Sequence, residues 1–300
     1  MKNRSTTNIL LEIIRVLIII VLTVIISFAT SNRAVELFSR QDSIPRFEKL
    51  SNRLSAIEKT MGGIAEVDTD IDAGITKHEV LKDKKIVYDG DSVCLGFNAN
   101  GGYPAMIAKL TDCTYENFAE GGGRLCSNSQ RHSVVDNLVN LPKDADLYCF
   151  EGGINDFWNN TPIGKCDPDD YSGEYDTQTI CGALETIFTH CLETYPGKPV
   201  CFVITHKIQK TATSVNTNGN TFEDYRNAMI SVCQKYSIPY YDAFSESGLN
   251  GWNEIQSEHF LTGNEQHTAD GCHPNEEGYA RYYVPQLIDL FQKIIPVQES

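Results

Sequence analysis

Between residues 86 and 293, short apolar runs alternate with longer stretches of helical periodicity, and that alternation constrains the fold more than any other feature of the chain. Residues 86–89, 114–119, 147–150, 200–205 and 238–243 read as strands, and residues 103–110, 179–194, 222–236 and 276–293 read as helices. A strand, a helix and a second strand fold back on themselves by a right-handed crossover, so the strands lie parallel and the helices cover both faces. The expected architecture is α/β, a three-layer α/β/α sandwich of flavodoxin-like type around a central parallel sheet. The chain has 300 residues, 41% of them hydrophobic, which is ample for such a core.

An open parallel sheet presents its chemistry at the carboxyl ends of its strands. The run Ile86, Val87, Tyr88 stops there at Asp89-Gly90-Asp91-Ser92, which makes Ser92 a candidate nucleophile; the same tripeptide also serves as an ordinary turn. A serine hydroxyl needs a base within hydrogen-bond reach and a third group to orient that base. Asp270-Gly271-Cys272-His273-Pro274 supplies both, with the acid and imidazole three residues apart; the plainer reading of His273 is a loop histidine ahead of a helix that starts with Pro274. Two further segments, 117–123 (Asn-Phe-Ala-Glu-Gly-Gly-Gly) and 152–156 (Gly-Gly-Ile-Asn-Asp), offer glycine N–H groups and an asparagine amide. Donors of that kind suit the oxyanion of acyl transfer, although each segment taken alone also reads as a turn or a helix cap.

Taken in this order, Gly-Asp-Ser, Asn-to-Gly, Gly-x-Asn-Asp and Asp-x-x-His, the segments make the chain resemble the SGNH (GDSL-type) hydrolase family over about two-thirds of its length, from near Ile86 to near Phe291. The resemblance implies the flavodoxin-like SGNH hydrolase fold. It implies Ser92 as nucleophile, His273 as base and Asp270 as its orienting partner. It also implies an oxyanion hole made by the N–H groups of Ser92 and Gly122, five residues after Asn117, and by the amide of Asn155. No metal or organic cofactor is expected. Cys94 and Cys272 stand where the family more usually has aliphatic residues, and they would form a thiol pair only if the backbone brings them together.

The N-terminus is of another kind. Lys2 and Arg4 precede an apolar stretch from Asn8 to Ala29 that is broken only by Glu12 and Arg15. It reads as an uncleaved signal anchor, as a signal peptide cut near Ser27-Phe28-Ala29, or as a buried helix. The first two place the catalytic domain outside the cytoplasmic membrane. Leu37, Ile44, Phe47, Leu50, Leu54, Ile57, Met61 and Ile64 then recur at near-heptad spacing, as in a coiled-coil stalk that would oligomerise the chain through residues 45–64, or in an amphipathic helix packed on the catalytic domain. The expected organisation is residues 1–30 as anchor or signal peptide, 31–80 as helical stalk and linker, and 81–300 as hydrolase domain.

A net charge of −15 argues against a nucleic-acid partner. No Cys-x-x-Cys spacing or phosphate-binding glycine loop occurs. Of the ten cysteines, Cys149 and Cys201 fall inside apolar strands and read as buried thiols, while Cys166 and Cys181 bracket a loop that a disulfide would close. Phe157, Trp158 and Trp252 are aromatic residues that either shape a substrate pocket or serve plain loop packing, and residues 250–270 form a long connection with no strong periodicity. The resulting expectation is an extracytoplasmic serine esterase acting on carboxylic esters, with acylated polysaccharide or lipid as substrate. A noncatalytic glycan-binding surface module and an acyltransferase with the same triad are the alternatives.

Overall fold

The computed structural model describes residues 80–296, apart from 98, 129, 210, 212 and 263–269. All of these lie in the second of the two units into which the chain divides, Gly74–Ser300. The apolar N-terminal stretch, the near-heptad segment 45–64 and the linker fall outside the described residues. Among the described residues, no helix is long and apolar enough to cross a membrane.

Five parallel strands form the sheet: β1 (Lys85–Asp89), β2 (Thr114–Asn117), β3 (Leu147–Gly152), β4 (Val200–Ile204) and β5 (Tyr240–Asp242). Their spatial order is β2-β1-β3-β4-β5, the doubly wound order in which the chain reverses its direction of travel at the β1/β3 neighbours. Each expected strand is present. β3 and β4 are buried along their whole length, as befits near-continuous apolar runs covered on both faces, whereas the Thr-Tyr-Glu sequence of β2 lies exposed at the edge.

The period of two along each strand sorts its side chains into two cores. Val87, Tyr148, Phe150, Phe202 and Ile204 point to one face, where they meet α3 (Val134–Asn137), α5 (Ile180–Thr194) and α6 (Phe222–Lys235). Ile86, Tyr88, Leu147, Cys149, Cys201 and Val203 point to the other, against α2 (Gly102–Thr111), α9 (Glu276–Tyr282) and α10 (Val284–Ile294). Each fully buried aromatic or aliphatic side chain contributes about 1.5–3 kcal/mol through the area it removes from water.

Local signals set the helix limits. Thr179 caps α5 by accepting from Gly182 N–H, and Thr221 opens α6 in a reciprocal capping box with Asp224. The stretch 276–293 is two helices rather than one, because Pro285 lacks an N–H and its ring obstructs the preceding turn; α10 therefore begins afresh with proline in its first turn. The long connection after residue 250 also differs from expectation. It contains α8 (Glu254–Phe260), capped by Asn253, a helix of two turns and too short to show a period in the sequence. Shorter helices α1 (Ser92–Leu95), α4 (Ile154–Trp158) and α7 (Ala243–Glu246) each follow directly on a strand end.

Candidate active site

Ser92 opens α1 at the carboxyl end of β1. Asp91 is the N-cap, its Oδ1 accepting from Val93 N–H at 2.8 Å, so the chain turns sharply and lifts the serine out of the sheet. Gly90 makes the turn possible, since a Cβ there would lie 2.7 Å from the Glu151 carbonyl oxygen on β3. As the first residue of the helix, Ser92 has an N–H with no acceptor inside it, and none is found among the described residues.

The second part of the site comes from the turn before α9. Asp270 Oδ1 accepts from the N–H groups of Cys272 at 2.8 Å and His273 at 2.9 Å, which folds the Asp-x-x-His segment on itself. Gly271 sits at φ +66°, and its carbonyl accepts from Gln209 N–H at 3.2 Å, docking the turn on the chain beyond β4. His273 Nδ1 donates to Asp270 Oδ2 at 2.5 Å, and Ser92 Oγ donates to His273 Nε2 at 2.8 Å. The tautomer follows from these partners, because the carboxylate can only accept at Nδ1 and Nε2 is then free to receive the serine proton. Burial pushes the Asp270 carboxyl up, but the His273 side-chain bond and the two backbone amides outweigh it and hold the group at about 2. It therefore stays ionised wherever the imidazole is in use.

The oxyanion segments reach the same place. Asn155 lies in the first turn of α4, directly beyond β3, and is 9% exposed. Its Nδ2 donates to Gly123 O at 2.9 Å and to Asp91 Oδ2 at 3.2 Å, so both amide hydrogens are engaged in this state. Gly122 sits at φ +78° with its N–H unpaired among the described residues. The loop that carries it is fixed by Glu120 N–H on Gly90 O at 3.2 Å and, beyond Gly123, by Asp156, whose carboxylate accepts from Leu125 N–H at 2.9 Å and Cys126 N–H at 3.2 Å. All four sequence segments thus converge at the β1/β3 reversal of the sheet.

Several contributors were not legible in the sequence. Glu151, on β3 under Ser92, is fully buried; its Oε2 accepts from Asp91 N–H and its Oε1 from Thr205 Oγ1 at 2.6 Å. Burial and the adjacent Glu151 charge push the Asp91 carboxyl far up, and burial likewise raises Glu151. Phe97, half exposed, packs its ring 4.9 Å from that of His273. Trp158, Ile208 and the turn 270–273 line a cavity of about 190 Å³ beside the imidazole.

Cys166 and Cys181 are joined in a disulfide with Cα atoms 5.4 Å apart, as their placement suggested. No disulfide joins Cys94 to Cys272, and Cys149 and Cys201 are buried thiols facing each other in register across β3 and β4. Trp252 is 56% exposed.

No curated protein sequence matches the chain. One crystal structure aligns with it at 25% identity over 72% of this chain and all of its own, with a TM-score of 0.62. A protein from Lactobacillus plantarum aligns at 22% identity over 71% of this chain and 98% of its own (TM-score 0.60), and a possible lipase from Chitinophaga pinensis at 18% over 70% and 98% (TM-score 0.53). Residues 90–281, which run from the glycine of the serine turn through the histidine turn and most of α9, match the GDSL-like lipase/acylhydrolase family, and the chain belongs to it.

Proposed function

We propose that the chain is a serine esterase that hydrolyses carboxylic esters through an acyl-enzyme, and that it works outside the cytoplasmic membrane. The observation that carries the chemistry is the unbroken relay Ser92 Oγ, His273 Nε2, His273 Nδ1, Asp270 Oδ2, with separations of 2.8 and 2.5 Å. Ser92 attacks the ester carbonyl as His273 takes its proton, and Asp270 stabilises the imidazolium. The N–H groups of Ser92 and Gly122 and the Asn155 amide receive the oxyanion. His273 then passes the proton to the leaving alcohol, and a water molecule repeats the sequence to free the acid and restore Ser92.

The acyl group proposed is a short one such as acetyl, and the cavity of about 190 Å³ lined by Trp158, Ile208 and the 270–273 turn lies on the His273 side of the site. Phe97 and Trp158 flank the imidazole and give the ester apolar walls, and an O-acetylated carbohydrate is the substrate class proposed. The extracytoplasmic location rests on Lys2 and Arg4 ahead of the apolar stretch. Hydrolysis of p-nitrophenyl esters from acetyl to long acyl, measured beside Ser92→Ala, tests the reading. Turnover that favours acetyl and vanishes in the variant supports it; equal turnover by the two proteins removes it.

A further inference from the structure

A second histidine–aspartate pair lies behind the oxyanion segment and has no part in the proton relay. Asp89, the last residue of β1, is fully buried. Its Oδ1 accepts from Gly90 N–H at 2.8 Å and from His132 Nε2 at 2.6 Å, and its Oδ2 accepts from Asn137 Nδ2 at 2.8 Å. The His132 side chain is 9% exposed. Its Nε2 is taken by Asp89, and Ser92 Oγ already donates to His273, so His132 is not the partner of the nucleophile.

What His132 does touch is the loop that carries Gly122. Its carbonyl accepts from Arg124 N–H at 3.1 Å. Its ring Cδ2 lies 3.1 Å from the point that a Cβ on Gly123 would occupy, and Gly90 O lies 2.6 Å from the same point. Gly123 is therefore gripped between the nucleophile turn and the histidine ring, and its carbonyl in turn holds the Asn155 amide. Were the ring released, Gly122, Gly123 and Asn155 would lose one wall together. The charged groups that face the ring are Asp89 and, 4.0 Å from Nδ1, Glu120. Burial pulls the His132 pKa down, but the bond and charge of Asp89 and the charge of Glu120 outweigh it and raise the group, which favours the ion-paired form.

We propose that His132 and Asp89 are a positioning pair that clamps the Glu120–Arg124 loop against the Ser92 turn and so holds the oxyanion donors in place. The catalytic part of this inference rests on the esterase reading; the clamp itself does not. Two measurements on the whole protein separate them. The first is amide hydrogen exchange across residues 120–124 in His132→Ala, His132→Gln and Asp89→Asn. The clamp predicts exchange at least about tenfold faster in His132→Ala with β1 and β3 unchanged, and a partial return in His132→Gln, whose amide can still reach Asp89. The second is kcat for p-nitrophenyl acetate per site titrated with a fluorophosphonate. A displaced loop lowers it about ten- to a hundredfold with KM changed less than about twofold. A residue of merely structural value lowers the number of titratable sites and leaves kcat per site alone. Asp89→Asn repeats both readings should His132→Ala fail to fold. Exchange and kcat per site both within about twofold of the parent would overturn the proposal. If the parent protein turns over no ester, the esterase reading falls, and the exchange measurement still decides whether the clamp exists.

Discussion

Gly123→Ala tests how tightly the oxyanion segment is held. Gly123 does not have a positive φ, so alanine meets no backbone penalty there, and the cost is purely one of space. A methyl group would lie 2.6 Å from Gly90 O, 3.0 Å from Glu120 O and 3.1 Å from His132 Cδ2, where ordinary contact begins at 3.4 Å. Two of those neighbours are backbone oxygens with no rotamer to adopt, so the loop must move by about 0.8 Å to clear the first. Forced overpacking of this size costs about 1–3 kcal/mol of stability. A displacement near 1 Å at a reacting centre costs about a hundredfold in rate. The expected result is thus kcat for p-nitrophenyl acetate lowered by about two orders of magnitude, with KM little changed and a modest fall in Tm. Gly121→Ala is the control, since nothing lies within 4 Å of a Cβ there. A Gly123→Ala protein with kcat within about threefold of the parent would refute the reasoning, because it would show that the loop position does not govern the rate.

Asp270→Asn keeps the shape of the histidine turn but removes the charge that orients Nδ1–H, and steady-state kinetics should show kcat lower by about 10³–10⁴ with the fold intact by circular dichroism. The Cys166–Cys181 bridge closes a loop of separation 15, and the double Cys→Ser variant should lose about 3 kcal/mol in urea unfolding, whereas an unchanged midpoint would mean the bridge restrains nothing. Acid should unfold the protein in two windows. Burial holds His206 neutral down to about 3, well below its ordinary value near 6.5. The unfolded chain therefore binds the extra proton, and stability falls by up to about 1.4 kcal/mol per pH unit as pH drops from about 6.5 toward 3. Asp270, lowered to about 2, adds stability above its ordinary pKa near 4 that is lost between about pH 4 and 2. Thermal melts from about pH 7 to about pH 2 check this, and His206→Gln should flatten the upper window.

The strands and the four segments that meet at the sheet edge were legible because each is local. Apolar runs such as Val-Cys-Phe-Val-Ile announce a buried central strand, and Gly-Asp-Ser and Asp-x-x-His are folded by hydrogen bonds within three residues. What could not be read were pairings across the fold. Asp89 and His132 are 43 positions apart, and Asp91 and Glu151 are 60 apart; the topology of the sheet, not the spacing, brings them together. The break at Tyr283 was signalled by Pro285, but the helical period on both sides of it reads as continuous.

The most direct test of the account is to trap the enzyme with a fluorophosphonate or a slowly released acyl ester and locate the adduct by peptide mass spectrometry. The account predicts a single adduct on Ser92, absent in Ser92→Ala and formed much more slowly in His273→Ala. Labelling at another residue, or undiminished ester turnover in Ser92→Ala, would contradict it.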